Sequence, residues 1–305
     1  MNLTFEIKKK ANEIGFSKIG ISEALYYKKD QQNLYNWISN NHHASMQWIE
    51  RRKEERSNIK KYYPKAKSVI SIALNYYTGT SDKYFDNYKI SNYAWGEDYH
   101  NIIKSKLYEL LKYIKNIDQK IDGICCVDTS PVSEKIWAQR SGIGWIGKHT
   151  NLITREFGSW IFLGEIILDT KLDYDQPFEN DLCGSCTACI DHCPTNAIVD
   201  EYVLDSRKCI SYLTIEHRGD LPLEYKGNLD SWIYGCDVCQ EVCPWNKKFS
   251  QKSNEDDFKP NSEIIKKKKK DWKNLTLNEY KEIFKGSPVK RTKYIGLKRN
   301  ISNNL

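Results

Sequence analysis

The chain has 305 residues, 40% of them hydrophobic and 12% aromatic, which allows one sizeable core with a smaller appended module. No apolar run approaches the length of a membrane span, and the N-terminus lacks the basic stretch and apolar core of a secretory signal, so a soluble, cytoplasmic protein is expected. The net charge of +7, from 47 basic and 40 acidic residues, fits a polyanionic partner and equally a lysine-rich solvated surface.

Leu3, Ile7, Ala11 and Ile14 recur at helical spacing, and Gly15 closes that segment before a β-like stretch from Ser17 to Ile21. Ala66 to Leu74 is apolar and β-branched enough for a buried strand, whereas Ile103, Leu107, Leu110, Leu111 and Ile114 mark an amphipathic helix. Strand candidates follow from Gly123 to Val127 and from Trp160 to Leu168, with a helix candidate from Pro131 to Arg140 between them. Helices alternating with strands predict an α/β domain over residues 1–172. The texture then turns acidic, and cysteines crowd into residues 173–250. Residues 251–305 are polar and basic, with Lys266 to Lys270 consecutive, until Leu275, Leu277, Tyr280, Ile283 and Phe284 restore a helical pattern. A short helical tail is expected there.

Eight of the ten cysteines lie between Cys183 and Cys243 at short spacings, in a chain read as intracellular, so metal ligation explains them better than disulfides. The first set is Cys183-x2-Cys186-x2-Cys189-x3-Cys193-Pro194, a run that wraps one cubane 4Fe-4S cluster with three thiolates and sends the fourth to a neighbouring cluster. The second is Cys209 followed, far downstream, by Cys236-x2-Cys239-x3-Cys243-Pro244. The crossover rule assigns Cys183, Cys186, Cys189 and Cys243 to one 4Fe-4S cluster, and Cys193, Cys209, Cys236 and Cys239 to the other. Two four-thiolate zinc sites are the alternative, although three evenly spaced cysteines before Cys-Pro fit a tetrahedral site less well. Cys125 and Cys126, adjacent in a strand candidate, point to opposite faces and read as core packing.

A carrier of electrons needs only the cysteine module, so the preceding domain must hold whatever receives them. Its polar signals are Ser91 to His100 (SNYAWGEDYH), Val127 to Pro131 (VDTSP) and Ser141 to Thr150 (SGIGWIGKHT). Asp128 ends a strand candidate, where open α/β sheets bind ligands, and this favours a functional acid. Equally, Asp128, Thr129 or Ser130 could cap a helix starting at Pro131. The three glycines of the last stretch permit close backbone approach to a ligand, but their order matches neither a phosphate loop nor a dinucleotide fingerprint.

Together with SGIGWIGKHTNLI, CGSCTACIDHCP and YGCDVCQEVCPWN, these motifs resemble epoxyqueuosine reductase, a cobalamin-dependent iron–sulfur family acting on tRNA. The resemblance spans roughly residues 1 to 250 and continues weakly to Arg299-Asn300. It implies an α/β cobalamin-binding domain, a ferredoxin-like module with two 4Fe-4S clusters, and a tRNA anticodon stem-loop carrying epoxyqueuosine as substrate. It further implies Asp128 as the catalytic proton donor, with a pKa raised by burial beside cobalamin, and Arg51, Tyr93, Ala94, Asp98, Ser141, Lys148, His149 and Thr150 as cobalamin contacts. His149 is expected to touch the corrin side chains rather than to coordinate cobalt. A flavodoxin- or ferredoxin-type donor and a monomer complete the expectation.

The chain departs from family members that continue into HEAT-like repeats, since it stops at Leu305. Lys266 to Lys270, Lys273, Lys290, Arg291, Lys293, Lys298 and Arg299 could then contact phosphates, and Trp272 and Tyr294 could stack on bases. A merely solubilising lysine run is the alternative. A corrinoid reductive dehalogenase and a non-catalytic electron-transfer subunit are the rival functions; the dehalogenases usually carry a twin-arginine signal, whereas Arg51-Arg52 lies well inside this chain.

Overall fold

The computed structural model describes residues 2–79 and 88–304. Helix α1 (Leu3–Ile14) starts where the Asn2 side chain accepts from Phe5 N, and it ends at Gly15, whose φ of +94° is the left-handed turn that glycine takes without strain. Strand β1 (Lys18–Glu23) follows, then helix α2 (Lys28–Ser39) and the one-turn helices Gln47–Arg51, Lys53–Ser57 and Ile59–Tyr62, which the sequence reading left unassigned.

The expected elements then appear as β2 (Ser68–Asn75), α3 (Tyr99–Ile117), β3 (Gly123–Cys126), α4 (Glu134–Arg140) and β4 (Ile161–Leu168). The sheet runs β1-β2-β4-β3, and every neighbouring pair is antiparallel. One face packs Ile70, Ile72, Ile166 and Leu168 on Ile103, Leu107, Leu110 and Ile114 of α3. The other packs Val69, Cys126 and Ile167 on Trp137 of α4. These buried apolar residues each contribute on the order of 1.5–3 kcal/mol of transfer free energy.

Two corrections follow. Because the sheet is antiparallel, the parallel-sheet crevice does not explain the position of Asp128, which instead sits two residues past β3 in a loop. Helix α4 begins at Glu134 with Ser133 as its N-cap, whose Oγ donates to Arg56 O rather than capping the helix, so the helix does not start at Pro131 and Asp128, Thr129 and Ser130 are not its N-cap.

The segment 251–305 is not a free tail. Ile264, Trp272, Leu275, Phe284, Val289, Leu297 and Ile301 form one core with Ile90, Ala94, Trp95, Ile233 and Tyr234. The short strand Lys89–Ile90 pairs in parallel with Trp232–Tyr234, stitching the N-terminal region to the cysteine module. Asn300 Nδ2 donates to the carbonyls of Thr214 and Ile233 at 2.8 Å each. Trp272 is only 1% exposed and the Tyr294 hydroxyl donates to Leu275 O, so neither is free to stack on a base. Arg299 is likewise spent on the carbonyls of Leu213, His217 and Gly219. No helix among the described residues is long and apolar enough to cross a membrane.

Candidate active site and cluster cradles

The short helices Ala188–Asp191 and Val238–Glu241 carry Cys189 and Cys239, and the loops around them bring the other cysteines alongside. Cys183, Cys186, Cys189 and Cys243 line one cavity of about 180 Å³. Cys193, Cys209, Cys236 and Cys239 line another of about 380 Å³. These are the two quartets that the crossover rule assigns, with the distant Cys209 completing the second. None of the ten cysteines is in a disulfide. Among the described residues no three His, Cys, Asp or Glu side chains converge on a single ion. Four thiols around a void of this kind suit a cubane cluster.

Lys148 Nζ lies 2.7 Å from both Gly184 O and Glu201 Oε1, in the wall of the smaller cavity. It therefore belongs to the first cysteine cradle rather than to a cobalamin contact. His149 lines both cavities. Its Nδ1 accepts from Asn151 N at 3.1 Å, while Nε2 is buried without a partner. Burial, aided by the charge of Lys135, lowers it to about 4, so its ring is neutral. Thr150, with φ +67°, lines the larger of the two cavities, and its carbonyl accepts from Lys135 Nζ at 2.9 Å.

Tyr93 and Tyr99 form a wall shared between the 380 Å³ cavity and an open cleft of about 850 Å³. On the cleft side stand Arg56, Asp98, His100, Asp128, Lys290 and Arg291. Asp98 caps α3 by accepting from His100 N at 3.1 Å, and the same Oδ1 lies 2.6 Å from His100 Nδ1. His100 Nε2 lies 3.1 Å from Asp128 Oδ2. The result is an unbroken line Asp98–His100–Asp128, stacked on Tyr99 at 4.1 Å between ring centroids.

Electrostatics along this line differ from the sequence expectation. Burial pushes the Asp128 carboxyl up, but the His100 hydrogen bond and charge, with Arg56 and Arg291, outweigh it and hold Asp128 below the usual carboxylate range. The expected raised pKa is thus corrected. The proton sits on His100: burial pulls its imidazolium down, yet hydrogen bonds to Asp128 and Asp98 and their charges lift it to about 9.

Of the remaining residues named from sequence, Tyr93 and Asp98 fall in the site. Arg51 is exposed and outside the cleft, where Arg56 takes a wall position with its Nε buried and unpartnered. Ala94 is buried in the core shared with the C-terminal helices. Ser141 is 2% exposed and its Oγ donates to Trp137 O; a Cβ on Gly20 would lie 2.0 Å from Ser141 O, so this stretch packs protein against protein. Gly144 makes a similar approach to Ile153 O. A Cβ on Gly142 would lie 2.6 Å from Gln176 O and one on Gly147 2.5 Å from Ile153 Cδ1, so the three glycines of this stretch pack against protein rather than giving the close ligand approach expected. Sequence reasoning missed Arg56, Tyr99, His100, Glu134 and Lys135. An Asp-x-His pair at the start of a predicted helix was the available signal for His100.

Residues 56–129 match the family model described as epoxyqueuosine reductase QueG, and residues 182–246 match a 4Fe-4S double cluster binding domain. The epoxyqueuosine reductase of Cellulophaga algicola is 47% identical over 97% of this chain and 95% of its own length. The chain belongs to the epoxyqueuosine reductase family. The epoxyqueuosine reductase of Atelocyanobacterium thalassa is 45% identical over the full length of both chains. A crystal structure of an epoxyqueuosine reductase with an epoxyqueuosine-modified tRNA-Tyr stem loop superposes with a TM-score of 0.88 at 31% identity, over 99% of this chain and 80% of that one. The Bacillus subtilis epoxyqueuosine reductase, also at TM-score 0.88 and 31% identity over 99% of this chain and 81% of that one, has a structure in which its aspartate-bearing catalytic loop is swung out of the active site.

Epoxyqueuosine reductases are cobalamin-dependent iron–sulfur enzymes. The site here fits such a cofactor. A corrinoid needs extended apolar walls with scattered polar partners and more room than the 380 Å³ cavity leaves beside the Cys193 quartet; Ile161, Phe162, Leu163 and the orphaned His149 Nε2 offer the walls, and the 850 Å³ cleft across Tyr93 and Tyr99 adds the room. Tyr93, Tyr99, Lys135, His149 and Thr150 are the residues that would hold it.

Proposed function

We propose that this chain reduces epoxyqueuosine to queuosine in tRNA with Asp128 as immediate proton donor and His100 as the group that resupplies it. Epoxide, two electrons and two protons give the alkene and water. Cobalamin in its reduced form supplies the nucleophile that opens the strained ring. The developing alkoxide needs a proton at once, and the departing oxygen needs a second, which the line regains from solvent through the open cleft once His100 has given up the first. Asp128 stands in the open cleft and is held ionised, so a proton reaches it from His100 Nε2 across 3.1 Å, while Asp98 holds the other ring nitrogen and fixes the tautomer. That three-residue line is the observation that carries this reading.

Arg56, Lys290 and Arg291 ring the cleft with positive charge and suit the phosphates of an anticodon stem-loop. Electrons from a flavodoxin- or ferredoxin-type donor would pass through the Cys183 quartet to the Cys193 quartet, whose cavity adjoins the Tyr93–Tyr99 wall. Asp128→Asn should retain iron and cobalamin while turnover on epoxyqueuosine tRNA falls by roughly 10²–10⁴. A fully active variant would refute the assignment.

A further inference from the structure

Asp128 is held in a left-handed backbone conformation. Its φ is +46°, in the left-handed region that non-glycine residues rarely adopt. The loop's own backbone bonds are local: Thr129 N donates to Val127 O, and Val132 N to Ser130 O. The Asp128 N–H instead donates to Glu134 Oε1 at 2.6 Å, six residues ahead in the first turn of α4. Helix α4 is itself seated on the sheet through buried Trp137 and Ala138, so Glu134 ties the loop to a rigid base.

Glu165 adds an independent observation. It lies in the middle of β4, opposite Cys126 and Ser71, fully buried and with both carboxyl oxygens unpartnered. Alternation along the strand places it on the face that Leu163 and Ile167 present to α4. A carboxyl group with no hydrogen-bond partner in such a core stays neutral.

We propose that Glu134 is the positioning residue of the proton donor: its neutral carboxyl group accepts from the Asp128 backbone N–H and thereby keeps the Asp128 side chain turned toward His100. Neutrality follows from the surroundings. Burial and the charge of Asp128 push Glu134 up to about 8, and burial holds Glu165 well above the usual carboxylate range. A protonated carboxyl keeps its carbonyl oxygen as an acceptor, which is all that the Asp128 N–H requires.

Because only the acceptor oxygen is used, glutamine should substitute for it. Glu134→Gln should turn over epoxyqueuosine stem-loop within about threefold of wild type, whereas Glu134→Ala should lose about 100-fold in kcat with KM little changed, the size of effect that a misplaced catalytic group produces. Iron content, cobalamin binding and thermal midpoint, measured on each holoenzyme, should stay close to wild type. Amide hydrogen exchange of the peptide spanning residues 127–133 should accelerate in Glu134→Ala and not in Glu134→Gln.

This inference rests on Asp128 being the donor, but the exchange measurement needs no turnover. Its failure is therefore distinguishable from a failure of the Asp128 assignment. Wild-type exchange and kcat in Glu134→Ala would overturn the proposal. So would equal losses in the alanine and glutamine variants with cofactors in place, since these would make the glutamate proton itself the working part.

Discussion

Removing the His100 imidazole should separate proton supply from everything else the site does. A pKa lifted from 6.5 to about 9 corresponds to roughly 3 kcal/mol of preference for the charged ring, shared between Asp98 and Asp128. Asp128 has a side chain 57% exposed, so solvent screening reduces the net stabilisation from the line to about 1–2 kcal/mol. In His100→Ala the proton source disappears and Asp128 returns toward an ordinary carboxylate, protonated only about once in a thousand molecules at pH 7. Single-turnover rates on an epoxyqueuosine stem-loop should therefore fall by roughly 10²–10³ at neutral pH. In wild type the rate should decline as pH rises through about 9, where His100 loses its proton; the variant should lack that limb. Stability follows the same signs. The His100 contribution is fully present below about 6.5 and lost as pH rises through about 9, and that of Asp98 and Asp128, both held low, is present above 3.8 and lost in acid. A His100→Ala enzyme with the wild-type rate, or with the same alkaline limb, would refute the role of this line.

Cys243→Ala should cost about four irons per chain and remove the signal of the cluster held by Cys183, Cys186 and Cys189, although Cys243 is near Cys236 and Cys239 in sequence. Retention of that signal in electron paramagnetic resonance, with loss of the other, would reverse the pairing. Trp272→Ala, at a site 1% exposed in the C-terminal core, should destabilise by about 3–5 kcal/mol in urea unfolding; an unchanged midpoint would show that the segment folds without it. Arg291→Ala, in the cleft wall beside Glu216, should weaken tRNA binding and flatten the log–log salt slope by about 1. An unchanged slope would remove Arg291 from the phosphate contacts.

Much of the catalytic half was legible because its elements obey simple periods. Leu107 and Leu111 repeat on one face of α3, Val69 and Ile70 sit in a strand buried throughout, and the cysteine spacings are set by cluster geometry. Strand direction was not legible, since β-branched apolar runs read alike in parallel and antiparallel sheets. The cleft was only partly legible for a similar reason: Asp128, His100 and Glu134 meet through a loop in a left-handed conformation that no periodic pattern announces. Lys148 and Ser141 were misplaced because their motif is continuous in sequence while the chain turns. Lys148 faces the first cysteine cradle, and Ser141 faces Gly20 of β1.

The two cavities also set the two histidines of the site on opposite sides of one aromatic wall. The Cys193 quartet and the neutral His149 lie on one side of Tyr93 and Tyr99, and the Asp98–His100–Asp128 line lies on the other. Burial drives both tyrosine phenols far above their usual range, so the wall carries no proton that titrates near neutrality. Low-potential electrons on a cluster would reduce protons if a supply lay beside it. Here the nearest titratable ring on the cluster side, His149, is neutral at physiological pH, while the protonated ring, His100, faces the cleft. The opposite shifts of two histidines, one by burial and one by paired carboxylates, therefore put the neutral ring on the cluster side of the tyrosine wall and the protonated ring on the cleft side.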